Sequence, residues 1–148
     1  MPPIALALAA ALLTAAAPPA DPLTADVGVR LSGLRNTKGV VQFCLTDQAD
    51  RFLLCKNNPL AVRRTVAAAQ IGTARLHLGN VRPGTYALLI FHDENANGKL
   101  DMIFGMPREG FAFSANPAIK MRAPRWEEVR VTITPGIDTQ TLRLKYIL

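Results

Sequence analysis

Hydrophobic and polar residues alternate along most of this chain with the period of an extended strand. Residues 26–34 read Asp-Val-Gly-Val-Arg-Leu-Ser-Gly-Leu, and Val27, Val29 and Leu31 set between small or polar neighbours predict a half-buried strand. Residues 35–39 carry turn formers, so 39–46 is expected to return as the second arm of a hairpin. The pattern then breaks over 47–60, which predicts a loop or one helical turn around Phe52-Leu53-Leu54. Residues 61–70 and 73–81 predict two further strands joined near Gly72, with Ala74, Leu76 and Leu78 turned inward and His77 facing solvent. A Pro83-Gly84 turn feeds Ala87-Leu88-Leu89-Ile90-Phe91, and an unbroken apolar run of this kind belongs to a strand covered on both faces. Tyr86, just inside that strand, has the placement of a tyrosine corner. No period survives over 93–125, before 126–134 and 141–148 alternate again around a Pro135-Gly136 turn. The expectation is all-β: an antiparallel sandwich of about seven strands, immunoglobulin-like or transthyretin-like, with a long irregular loop after its central strand.

The first twenty residues interrupt this picture. Residues 4–17 are an apolar run between prolines, too short to span a bilayer comfortably and ending in small residues. The stretch 1–20 is therefore read as a signal peptide, although the usual positive n-region is missing, and 21–148 as a single β-sandwich domain. No later stretch has the length of a transmembrane helix, so a periplasmic or secreted product is expected. Export permits a disulfide, and Cys44 and Cys55, the two cysteines of the chain, are the candidates. Their spacing is not that of a redox C-x-x-C pair, so the bridge is read as structural.

Of the 148 residues, 17 are Lys or Arg and 11 Asp or Glu, for a formal charge of +6. The densest basic spots, Arg63-Arg64 and 120–125, lack the interleaved aromatics of a nucleic-acid platform, so no nucleic-acid partner is expected. They read instead as a solvated face with some attraction for anionic headgroups or polysaccharide.

One constellation carries chemistry. Asp93-x-Asn95-x-Asn97-Gly98 matches the opening of a calcium loop, in which alternate side chains and one carbonyl supply oxygens to a hard cation. Continuing the register brings the Lys99 carbonyl and then Asp101 onto the pattern, while Phe104 stands where a bidentate glutamate closes stronger sites. Asp93, Asn95, Asn97, Lys99 and Asp101 are thus the candidate ligands of low-affinity Ca²⁺, with dissociation constants on the order of 0.1 to 1 mM as in extracellular modules. The competing reading is a loop that satisfies its own backbone through Asx-turns. His92 beside Asp93, with Ser114 or Glu109, suggests a hydrolase, but no G-x-S-x-G elbow accompanies it, and neighbours in a strand point to opposite faces.

Pro83-Gly84-Thr85-Tyr86, then Phe91-His92-Asp93-Glu94-Asn95 through Asp101, then Gly105-Met106-Pro107-x-Glu109-Gly110-Phe111-Ala112-Phe113-Ser114-x-Asn116 form an ordered triple of motifs. In these the chain resembles the exported bacterial proteins grouped as domain of unknown function 2141. The resemblance implies an exported, predominantly β domain with the Asp/Asn/Gly loop and the Pro-x-Glu-Gly segment as its signature, and no known activity. Ala96 stands where the family is expected to carry glycine, and Trp126-Glu127-Glu128-Val129 replaces a more usual Phe-Glu-Asp-Ala-like run. The functional expectation is a binding or accessory module that offers Phe111 and Phe113 to a ligand or partner. The alternatives are a structural cell-envelope component without ligand and, behind it, the His92 hydrolase.

Overall fold

The strand beginning at Ala25 places Val27, Val29 and Leu31 in the interior and Arg30 and Ser32 outside, as period two requires. The computed structural model describes residues 23–148, so the segment read as a signal peptide lies outside the described residues. Ten strands follow in order: β1 Ala25–Ser32, β2 Val40–Thr46, β3 Val62–Ala67, β4 Leu76–Val81, β5 Gly84–Asp93, β6 Met102–Ile103, β7 Met106–Pro107, β8 Gly110–Phe113, β9 Val131–Ile133 and β10 Gly136–Arg143. A 3-10 turn covers Phe52–Asn57, and one turn of helix, α1, covers Trp126–Val129.

The strands form a sandwich. One sheet runs β10-β1-β4 and the other β3-β2-β5-β8, with β9 paired to the start of β5. Val27, Val29, Leu31, Leu78 and Leu142 of the first sheet pack against Val41, Phe43, Leu45, Leu88, Ile90 and Ala112 of the second. The expected all-β sandwich is therefore the fold, and all its sheet pairings but one are antiparallel: β1 and β10 run parallel, from Ala25↔Gly136 to Ser32↔Arg143.

β5 is covered on both faces, as its apolar run implies. Leu88 and Ile90 enter the main core, while Ala87 meets Phe52 and Val129 in a second, smaller cluster flanked by Leu89, Phe113 and Trp126. The disulfide Cys44–Cys55 ties the 3-10 turn onto this outer face, with Cα atoms 6.0 Å apart. The Tyr86 hydroxyl donates to the Arg82 carbonyl at 3.0 Å, which is the return contact of a tyrosine corner.

Several sequence expectations need correction. β1 and β2 are not a hairpin: β1 pairs with β4 and β10, β2 with β3 and β5. The link between them crosses from sheet to sheet, because both strands turn their apolar side to the one core. Gly39 (φ 65°) ends this link where an added Cβ would strike the backbone of Asp93 and Glu94. Ala74 is exposed and precedes β4 rather than lining the core. His77 is exposed as expected, with Nδ1 2.8 Å from Asp26 Oδ1. Residues 126–129 are helical rather than extended: Glu128 accepts the Arg125 N–H at 2.8 Å, and Val129 turns into the smaller cluster. The last strand is Gly136–Arg143, earlier than 141–148, because its pairing with β1 starts at Gly136. The irregular stretch 93–125 contains the short hairpin β6–β7 and the edge strand β8.

Candidate functional site

Each carboxylate of the 93–101 loop has a defined set of donors. Asp93 ends β5 with its side chain fully buried; Oδ1 accepts the Asn97 N–H at 3.0 Å and Oδ2 the Gly98 N–H at 2.8 Å. Asn95 Oδ1 accepts the Asn97 N–H at 3.2 Å and Asn97 Oδ1 the Lys99 N–H at 2.9 Å, so two Asx-turns wind the chain. The amide groups of Asn95 and Asn97 donate to the two oxygens of Asp101 at 2.7 and 2.9 Å. These bonds, Asn97's first, hold the Asp101 carboxyl below the usual carboxylate range. The structure thus gathers Asp93, Asn95, Asn97 and Asp101 into one hydrogen-bonded network. No group of three or more His, Cys, Asp or Glu with metal-ligand geometry occurs among the described residues. Ala96 has φ 56°, the left-handed conformation that glycine enters without cost.

Glu109, outside the loop's register, closes it from below. Its buried carboxylate accepts the Glu94 N–H at 2.9 Å and the Asp101 N–H at 3.0 Å, joining the two ends of the loop. The Pro-x-Glu-Gly motif flagged this residue, but spacing did not supply the role. Arg35 latches the same end of the sandwich: its guanidinium meets Glu94 at 2.6 Å, donates to the Leu148 and Arg108 carbonyls, and stacks 4.5 Å from the Tyr146 ring centroid. Burial pushes the Glu94 carboxyl up, yet the bonds from Asn36 and Arg35 outweigh it and leave it lowered.

His92 and Ser114 are not brought together. His92 is fully buried, with Nε2 2.7 Å from the Lys38 carbonyl and Nδ1 2.8 Å from the Tyr146 hydroxyl. In the β5–β8 register His92 faces Gly110 and Leu89 faces Phe113, which puts Ser114 at the other end of the pairing. The Ser114 hydroxyl there accepts the Leu88 N–H and donates to the Val129 carbonyl, a structural stitch between β5 and α1.

A cleft lies elsewhere, on the outer face of the second sheet. Gly110 and Ala112 of β8 are buried, so Phe111 and Phe113 project outward with ring centroids 5.9 Å apart. Opposite them runs a strap, residues 115–125, that begins with two left-handed residues, Ala115 and Asn116. Asn116 fixes the strap to the last strand by donating to the Thr141 carbonyl and accepting the Arg143 N–H. Glu128 holds the far end through Lys120, Arg122 and the Arg125 N–H. The same contacts, Arg122's first, hold its carboxyl far below the ordinary range. Between strap, β8 and the β6–β7 hairpin lies a cleft of about 290 Å³, walled by Leu53, Met106, Phe111, Phe113, Ile119 and Met121 and lined also by Lys120, Arg122, Arg143 and Lys145. Phe111 and Phe113 were singled out from the sequence. Residues 120–125 were read only as a basic spot, and neither the strap nor the anchoring role of Glu128 was legible, because 115–125 has no period to read.

Fold and cleft define a disulfide-bridged β-sandwich with a strap over the outer face of one sheet. Residues 29–141 match the family described as "Uncharacterized protein conserved in bacteria (DUF2141)", and the chain belongs to that family. Neither a curated protein nor a solved structure matches the chain.

Proposed function

We propose that this chain is an exported binding module of the periplasm or extracellular space, and that its ligand occupies the cleft between β8 and the strap. The observation that carries the reading is an apolar cavity of about 290 Å³ on the outer face of the second sheet, walled by the outward rings of β8 and by the strap. Small-molecule sites are concave, mostly apolar and fitted with a few polar groups, and range over roughly 300 to 1,000 Å³. The disulfide supports an extracytoplasmic setting, and among the described residues no helix is long and apolar enough to cross a membrane. The test is a titration with the uncharged dye N-phenyl-1-naphthylamine. Its fluorescence should saturate at one dye per chain and be lost in Met121→Glu, whose strap side chain is 87% exposed, with an unchanged melting temperature certifying the fold. Dye binding unchanged in that variant would remove the cleft from the proposal and favour the ligand-free envelope component.

A second reading, weak Ca²⁺ binding by Asp93, Asn95, Asn97, the Lys99 carbonyl and Asp101, is favoured by one observation. The buried Asp93 is fixed by the N–H groups of the fifth and sixth loop positions, so its remaining lone pairs and those of Asp101 have set positions. A cation there replaces the amide donors of Asn95 and Asn97 at Asp101. A thermal melt in about 5 mM calcium, above the roughly 0.1 to 1 mM dissociation constants of such sites, against chelator decides it: a raised midpoint supports the metal, and no shift removes it.

A further inference from the structure

We propose that the cleft is a site for a single-chain anionic amphiphile, an alkyl carboxylate of medium length, with its carboxylate at Arg143 and its chain along Phe111, Phe113 and Met121. The inference rests on the reading of the cleft as a ligand site and adds the chemistry of the occupant. Four cationic side chains line the cavity against one carboxylate, that of Glu128. They are not equivalent. Lys120 and Arg122 are both committed to Glu128, and the Lys145 ammonium donates to the Pro117 carbonyl at 2.6 Å. Arg143 uses its backbone N–H on Asn116, while its guanidinium has no hydrogen bond or ion pair among the described residues. An open guanidinium offers a planar fork of donors that fits a carboxylate with two parallel bonds, which a neutral or cationic head cannot return.

The walls choose the body of the ligand. Met102, Met106 and Met121 are unbranched and polarisable, and such side chains adapt to a flexible chain better than to a rigid ring system. A volume of about 290 Å³ stands at the floor of the roughly 300 to 1,000 Å³ found for small-molecule sites, which leaves room for one short chain and not for a two-chain lipid.

The experiment is calorimetric titration of the full chain with decanoate, decanol and decylamine, each below its aggregation threshold. One decanoate should bind per chain, at least about tenfold tighter than decanol, as expected for one charge-assisted pair, with decylamine weakest. Arg143→Gln should bring decanoate down to the affinity of decanol and leave decanol unchanged. Arg143→Lys, which keeps the charge and loses the fork, should fall between. Because Arg143 is exposed on the last strand, equal melting temperatures of the variants and the parent certify the fold. Decanol binding as tightly as decanoate, or decanoate affinity untouched by Arg143→Gln, overturns the carboxylate assignment while the cleft reading stands. Failure of all three amphiphiles with the neutral dye still bound overturns the single-chain class. Failure of amphiphiles and dye together overturns both readings. Binding to phosphatidylglycerol vesicles without binding to monomeric decanoate assigns the surface to a membrane and also overturns the proposal.

Discussion

The Nδ1 atom of His92 lies 2.8 Å from the Tyr146 hydroxyl, and the two rings stand nearly perpendicular, at 83°, at one end of the sandwich. The Lys38 carbonyl can only accept, so Nε2 donates to it, and the phenol proton is directed at Nδ1. Burial raises the Tyr146 pKa, which keeps that proton in place at neutral pH. The pair is a structural clasp that joins the C-terminal tail to β5.

Removing the phenol oxygen leaves a buried imidazole nitrogen with no donor. Tyr146→Phe should therefore cost about 1 to 3 kcal/mol of stability, measured by urea unfolding. Gly110 lies under the same ring, where an added Cβ would collide with Tyr146, so Gly110→Ala should also destabilise, by about 1 to 3 kcal/mol. A neutral result for both would refute the clasp.

The Cys44–Cys55 bridge fastens the 3-10 turn over Ala87 and Val129. Replacing both cysteines by alanine should lower stability by about 2 to 4 kcal/mol. Part of that loss should show as increased hydrogen exchange over Phe52–Asn57, since the turn loses its covalent tie.

Ala96 occupies a left-handed conformation at φ 56°. A left-handed residue costs an L-amino acid roughly 1 to 2 kcal/mol, and the added freedom of glycine in the unfolded chain offsets part of this. Ala96→Gly should raise the melting temperature, with a net gain of about 0.5 to 1 kcal/mol. A decrease would mean that the loop gains more from the methyl group than its backbone angle suggests.

Glu128 gives the strap its pH response. Its folded pKa is depressed, so its contribution is fully present above the unfolded value of about 4.3 and is lost as pH falls from there toward the depressed folded value. The fluorescence of Trp126, the single tryptophan, should therefore stay flat from about pH 8 to 5 and begin to change below about pH 4. In Glu128→Gln the strap should be loosened at every pH, and the acid transition assigned to it should disappear.

Sequence alone determined the extended character of the chain, the buried faces of β1 and β5, the tyrosine corner and the pairing of the cysteines. It did so because each depends on local alternation or on a choice of two residues. The tertiary structure decided which strands are neighbours: period two tells which side of β1 is buried but is silent on whether its partner is β2 or β10. It also decided the roles of Glu109 and Glu128, whose partners lie around a loop or along a strap with no period of its own. The cleft belongs to the same class, since Phe111 and Phe113 have the same alternation whether they face a core or an open cavity. Only the placement of the strap opposite them, fixed by Asn116 and Glu128, turns that face into a cleft.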